Sequence, residues 1–104
     1  MTTLANSFTP VHPGEIFKEE LQARGISQKK IAEMTQVSYT MLNEILNGKR
    51  QLSAEVALVF EAALGISADM LIGIQTRYNL QVARDNSSYK RRLDSIRKVC
   101  ASLL

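Results

Sequence analysis

Ser27-Gln28-Lys29-Lys30-Ile31-Ala32-Glu33-Met34-Thr35-Gln36-Val37-Ser38-Tyr39-Thr40-Met41-Leu42-Asn43-Glu44-Ile45-Leu46-Asn47-Gly48 is the stretch that decides the fold. Ser27 and Ser38 are strong N-caps, so it reads as two short helices, Gln28–Thr35 and Tyr39–Leu46, the second ended by Asn47-Gly48. A helix-turn-helix needs a small residue where its helices cross and apolar residues that lock a short turn. Ala32 meets the first need. Ile31 beside it, Val37 in the turn, and Leu42 and Ile45 in the second helix meet the second, with Met34 also placed on the inward side. Ser38, Tyr39, Thr40, Asn43, Glu44 and Asn47 are left outward, a set suited to base-edge contacts in a major groove.

Two features work against that reading. The turn position where Gly is usual holds Gln36, which must turn left-handed at a cost of roughly 1 kcal/mol or use another turn. The second helix has no Lys or Arg, and its Glu44 repels phosphate unless it accepts from a cytosine amino group. Any two capped amphipathic helices produce the same pattern. The residues of this stretch therefore leave a DNA reader and a bare packing unit both open.

Outward from this stretch the punctuation is regular. Pro13 suits a first helical turn and Gly25 a left-handed stop, giving a helix over 13–24 with Ile16, Phe17 and Leu21 on one face. Ser53 and Gly65 bracket a helix over 54–64, and Ser67 opens one over about 68–83. Asp85-Asn86-Ser87-Ser88 is a polar break, and a last helix follows over about 89–103. No alternating apolar run of strand length occurs, so the expected class is all-α. The expected organisation is a flexible segment over 1–10, a five-helix domain over 11–84 and a basic amphipathic helix over 85–104.

Composition narrows the function. No apolar run approaches the roughly 20 residues that span a bilayer, and no secretory signal is visible. The lone cysteine, Cys100, rules out an intrachain disulfide framework and fits a reducing compartment, so a cytoplasmic protein is expected. The formal net charge is +3. Residues 1–60 hold six Lys or Arg and six Asp or Glu; from 61 onward there are seven cations and four acids. The surplus lies at the C-terminal end, in Arg84, Lys90, Arg91, Arg92, Arg97 and Lys98. Attraction to phosphate must use that end or local clustering elsewhere.

Catalysis is not expected. His12 is the only histidine and has no partner at metal-ligand spacing, so it reads as an N-terminal cap. One His and one Cys cannot be assembled into a nucleophilic triad, Glu19-Glu20 reads as a solvated face, and there is no glycine-rich phosphate loop. No cofactor, metal or small-molecule ligand is implied.

The motifs together resemble a known family. Ser27-Gln28-Lys29-Lys30-Ile31-Ala32, Val37-Ser38 and Ile45-Leu46-Asn47-Gly48-Lys49-Arg50 are similar to the lambda-repressor-like (XRE) helix-turn-helix domains. His12-Pro13-Gly14-Glu15, Ala62-Ala63-Leu64-Gly65-Ile66-Ser67 and Gln75-Thr76-Arg77-Tyr78-Asn79-Leu80 narrow the likeness to the HigA/VapI antidote proteins of plasmid-maintenance systems. The resemblance covers about residues 11–83. It implies a five-helix repressor-like fold, a homodimer, binding to a palindromic operator in double-stranded DNA, and neutralisation of a cognate ribonuclease-like toxin. By position it implies that Gln28 binds a phosphate or supports the base-reading side chains. Ser38, Tyr39, Thr40, Asn43 and Glu44 would approach the groove, with Asn47, Lys49 and Arg50 on the backbone. Met41, Glu44 and Gln36 depart from the family's usual residues, so operator identity does not transfer. A stand-alone XRE regulator without a toxin, and a toxin-binding protein whose helix-turn-helix no longer reads DNA, remain the alternatives.

Two apolar surfaces could join copies of the chain. In the helix over 68–83, Leu71, Ile74, Tyr78 and Val82 form one stripe, which Met70, Ile72 and Leu80 widen. The surplus face is expected to pair with a twofold mate through Met70, Ile72, Ile74 and Tyr78. In the last helix Tyr89, Leu93, Ile96, Cys100 and Leu103 make a heptad-like stripe expected to pack on its own domain or on its mate, with Cys100 as a small buried hydrophobe. A toxin-binding or DNA-backbone role for it is the sharper alternative.

Overall fold

The computed structural model describes residues 10–103; the segment over 1–9 lies outside the described residues. Six α-helices follow in order: α1 Pro13–Arg24, α2 Gln28–Thr35, α3 Tyr39–Leu46, α4 Ala54–Leu64, α5 Ala68–Asp85 and α6 Ser87–Cys100, with a 3-10 turn at Ala101–Leu103. No strand occurs among the described residues.

Each helix begins where a side chain can take up an orphan N–H group. His12 Nδ1 accepts from Gly14 N–H at 3.0 Å, and Ser27 Oγ from Lys30 N–H at 3.0 Å. Ser38, Ser53 and Ser67 cap α3, α4 and α5 in the same way. Gly25 closes α1 with φ 66°, its N–H reaching back to the carbonyls of Leu21 and Gln22. Gln36 takes the left-handed conformation itself, with φ 61° and ψ 21° at the end of α2. The turn thus keeps the shape that Gly would give it, and Gln36 bears the strain.

The core is formed by Phe17 and Leu21 of α1, Ile31 and Ala32 of α2, Leu42, Ile45 and Leu46 of α3, Phe60 of α4 and Leu71 of α5. The rings of Phe17 and Phe60 meet at 4.2 Å between centroids. α1 and α3 approach so closely at Gly14 that a Cβ there would collide with the Ile45 carbonyl oxygen. Buried Gln75 of α5 ties in the loop before α4: its Oε1 accepts from Leu52 N–H at 2.8 Å and its Nε2 donates to Asn79 Oδ1 at 3.0 Å.

Four expectations change. Met34 points to solvent, because the residue one turn beyond Ile31 on the inward face is Thr35, whose hydroxyl donates to the Ile31 carbonyl at 2.6 Å. Val82 is exposed, since α5 outruns the domain beyond Tyr78. The polar break shrinks to Asn86 alone: α5 runs through Asp85, and α6 starts at Ser87. Asn86 closes one helix, its N–H donating to the Ala83 carbonyl at 3.2 Å, and opens the next, its side chain accepting from Tyr89 N–H at 2.9 Å. Finally, α6 does not fold back on its own domain. It follows α5 outward, none of its residues is buried, and Cys100 is exposed rather than packed as a small hydrophobe. The molecule is accordingly long, 56 × 31 × 22 Å.

Candidate nucleic-acid interface

α3 lies across α2 with its apolar side sealed by Leu42, Ile45 and Leu46, so its other side must face out. Tyr39 is 51% exposed at the first turn, Thr40 is exposed beside it, and Ser38 is exposed while its hydroxyl caps the helix. Met41 is half-buried and packs against the core, so it is not part of the outward surface. An open cleft lined by Lys29, Ala32, Glu33, Val37 and Tyr39 runs along the flank of the two helices.

Hydrogen bonds order the middle of this face. Asn43 Nδ2 donates to Gln28 Oε1 at 3.0 Å, bridging the start of α2 and the centre of α3. Asn47 Nδ2 donates to the Asn43 carbonyl at 2.9 Å and to Asn43 Oδ1 at 3.2 Å. Gln28, Asn43 and Asn47 therefore form one connected row of side-chain amides. Their orientations are mutually set, which lowers the entropy lost when such groups meet a hydrogen-bonding ligand. Helical spacing placed Asn43 and Asn47 on the surface and the family resemblance placed Gln28 beside them, but spacing alone could not show that they bond to one another.

Beyond α3 the chain turns back through Gly48, whose φ is 72°. Lys49 N–H donates to the Glu44 carbonyl at 2.8 Å, holding the loop against the helix end. Lys49 and Arg50 are both exposed. Arg50 folds onto Glu44: Nε and Nη2 each lie 2.8 Å from Glu44 Oε1. This pairing removes much of the charge repulsion that an isolated Glu44 would present to phosphate.

His12 supports the same loop from behind. Its imidazole is buried, meets the edge of Tyr78 with ring centroids 4.9 Å apart, and lies against Gly48. Burial pushes its pKa below 6.5; a hydrogen bond with the Arg50 main chain and the charge of Glu15 oppose this more weakly. The neutral ring is the form that can accept from Gly14 N–H. The capping role was readable in the sequence. The contact with the loop carrying Lys49 and Arg50 was not, because it joins segments separated by three helices.

The four residues expected at a dimer contact fall into different settings. Met70 is 45% exposed and Ile74 is half-buried. Ile72 packs against the core, and Tyr78 is half-buried against His12. Among the described residues no group of three or more His, Cys, Asp or Glu stands where it could hold a metal ion, and no helix is long and apolar enough to cross a membrane.

Known proteins share this fold. A family model described as Helix-turn-helix matches residues 17–71. Virulence-associated protein I of Dichelobacter nodosus is 34% identical over 82 residues, spanning 78% of this chain and 76% of its own length. The solved structure of an addiction module antidote protein of the HigA family from Coxiella burnetii matches with a TM-score of 0.71 at 30% identity, over 78% of this chain and 89% of that one. The Pseudomonas aeruginosa antitoxin HigA, solved with the higBA promoter, matches with a TM-score of 0.74 at 29% identity, over 83% of this chain and 92% of that one.

Proposed function

The chain belongs to the XRE-type helix-turn-helix family (HTH_3), and we propose that it is a sequence-specific DNA-binding repressor acting as the antitoxin of a toxin–antitoxin module. The observation that carries this reading is the outward face of α3, where Tyr39 and Thr40 stand beside the linked amides of Gln28, Asn43 and Asn47. Such groups read base edges: amides pair with adenine, hydroxyls hydrogen-bond to base edges, and apolar groups such as the threonine methyl meet a thymine methyl. Lys49 and Arg50 follow at the end of the helix, where cations would contact phosphate and fix the register.

The DNA-binding unit is residues 11–84, and residues 85–104 form a separate functional segment. One short helix reads too few base pairs to select an operator, so the acting species is a homodimer with its two α3 helices about 34 Å apart on a palindromic site. α5 supplies the contact, with exposed Met70 at its centre and Ile74 beside it. The likeness to HigA antidote proteins supports the finer parts of the reading: repression of its own operon, and neutralisation of a ribonuclease-like toxin encoded next to it. The work is that of a cytoplasmic regulator and not of an enzyme. The αL turn at Gln36 and the Glu44–Arg50 pair favour a reader that still binds DNA over a toxin-binding protein that has lost this ability.

The test is a titration of the full chain against the DNA upstream of its own reading frame and against a scrambled duplex. Affinity for the promoter fragment should exceed that for the scrambled one by about 10³ or more at physiological salt. Equal affinity for the two would end the repressor reading. Growth arrest by the neighbouring open reading frame, relieved on co-expression of this chain, is the outcome expected of an antitoxin. Absence of arrest would leave a stand-alone regulator.

A further inference from the structure

The apolar stripe of α6 and the turn after it is covered among the described residues only in part, at Leu93. Tyr89 and Ile96 are each 46% exposed and Leu103 78%; Cys100 is exposed, and only Leu93 is half-buried. A helix of this length is marginal in water by itself, so a partner is what would hold it. The stripe is narrow. Its residues recur at alternate steps of four and three, the spacing of the a and d places of a helix-to-helix seam. In that register Tyr89, Ile96 and Leu103 take d, while Leu93 and Cys100 take a. Lys90 and Arg97 then fall at e and Arg92 at g, the places that choose a partner by charge; Val99 takes the remaining g and widens the apolar edge.

We infer that α6 is a docking surface for an acidic amphipathic helix of another protein, one with apolar residues at a and d and Glu or Asp at e and g. Charge decides among the occupants. Segment 87–103 holds five cations, Lys90, Arg91, Arg92, Arg97 and Lys98, against one acid, Asp94. Asp94 is at a b place off the seam, bound to Arg97 at 2.7 Å, and gives a partner's cations nothing at e or g. A second copy paired in parallel would set Arg92 against Arg97, and an antiparallel copy would set Lys90 against Arg97; both put cation on cation. DNA phosphates would satisfy the cations but leave Tyr89, Leu93, Ile96 and Leu103 in water. A lipid surface satisfies both, but it favours a broad apolar face over a narrow seam. The acidic helix meets the stripe and its rim together. This inference stands apart from the repressor reading, and a chain that failed to bind its promoter could still carry it.

The test mixes the full-length protein with two designed peptides of about three heptads, both with Leu at a and d, one with Glu and the other with Lys at e and g. Fluorescence anisotropy should show the Glu peptide binding at least tenfold tighter, with a gain in helicity by circular dichroism and weakening as salt rises. The triple variant Lys90→Glu, Arg92→Glu, Arg97→Glu changes exposed side chains only, and should reverse the preference with its melting curve in place. No binding of either peptide, equal binding, or an unreversed preference overturns the inference. So does wild-type self-association that Leu93→Asp abolishes. Tighter binding to phosphatidylserine vesicles than to the Glu peptide would assign the face to a membrane, and loss of promoter affinity in the triple variant would assign its cations to phosphate; either result also overturns it.

Discussion

Arg50 is held by Glu44, with two of its guanidinium nitrogens 2.8 Å from a single carboxylate oxygen at the end of the candidate reading helix. Both side chains are well exposed, so the pair contributes little to folding, within about 1 kcal/mol. Its effect belongs to binding. Arg50 can reach a phosphate only by leaving Glu44 or by presenting the N–H groups that Glu44 does not occupy.

Removing the acid should therefore release the cation. Glu44→Ala is expected to raise affinity for all DNA sequences and to steepen the slope of log K against log salt by about 0.9, one phosphate equivalent. Lys49→Ala should flatten that slope by a similar amount. Filter binding over a salt series measures both, and an unchanged slope in Glu44→Ala would mean that Arg50 does not move to phosphate.

Gln36 is the one described non-glycine residue with positive φ, and it bears that strain at the turn between α2 and α3. Gln36→Gly should relieve it, less the entropy that glycine adds to the unfolded chain. The expected gain is about 0.5–1 kcal/mol, a rise in Tm of roughly 2–8 °C by calorimetry. A lower Tm would show that the glutamine side chain contributes more than its backbone costs.

At Gly14 the expectation is the reverse. An added methyl would meet the Ile45 carbonyl oxygen, a backbone atom that cannot swing aside, so α1 must move off α3. Gly14→Ala should cost about 1–3 kcal/mol in urea denaturation with an unchanged m value. Promoter affinity should fall with it, because α3 loses its support.

The buried imidazole of His12 gives the fold a pH dependence with a defined sign. Burial lowers its pKa, so between 6.5 and that lower value the unfolded chain binds more protons than the folded one. Stability is fully present above about 6.5 and declines as pH falls below it, levelling off once the folded ring also protonates. His12→Asn retains a capping side chain and should flatten this window. Equal pH slopes for the two proteins between pH 5 and 7 would rule out His12 as the cause.

Placement of the apolar residues of α5 separates association from folding. Met70→Asp alters a side chain in solvent and should yield a monomer by light scattering with little change in Tm. Ile72→Asp alters one packed against the core and should lower Tm. A Met70→Asp protein that stays dimeric would move the contact away from the start of α5.

The sequence was most legible where a cap or a left-handed stop marks a boundary. The limits of α1 through α4 follow from His12, Ser27, Ser38, Ser53, Gly25 and Gly65, because each of these residues acts on its own backbone. It was least legible where a side chain is met by a distant segment. Buried Gln75 heads the polar run Gln75-Thr76-Arg77, and its bond to Leu52 N–H has no local signature. The outward row of α3 was readable from helical spacing, whereas the Gln28–Asn43 bond and the Glu44–Arg50 pair depend on how helices and loop close in space. Met34 and Val82 misled for another reason: an apolar residue announces a need for burial, not the presence of a neighbour to bury it.

Asn86, alone between two helices, has a mechanical consequence. The 14 residues of α6 form a rod about 21 Å long, pivoted on the torsions of one residue. A turn of about 20° there carries the far tip through roughly 7 Å, while residues 13–85 stay in place. The tail is thus a boom on a fixed mast. Small torsional changes at its foot set how wide a volume its tip sweeps, and so how far from the candidate reading surface the proposed partner helix would be held.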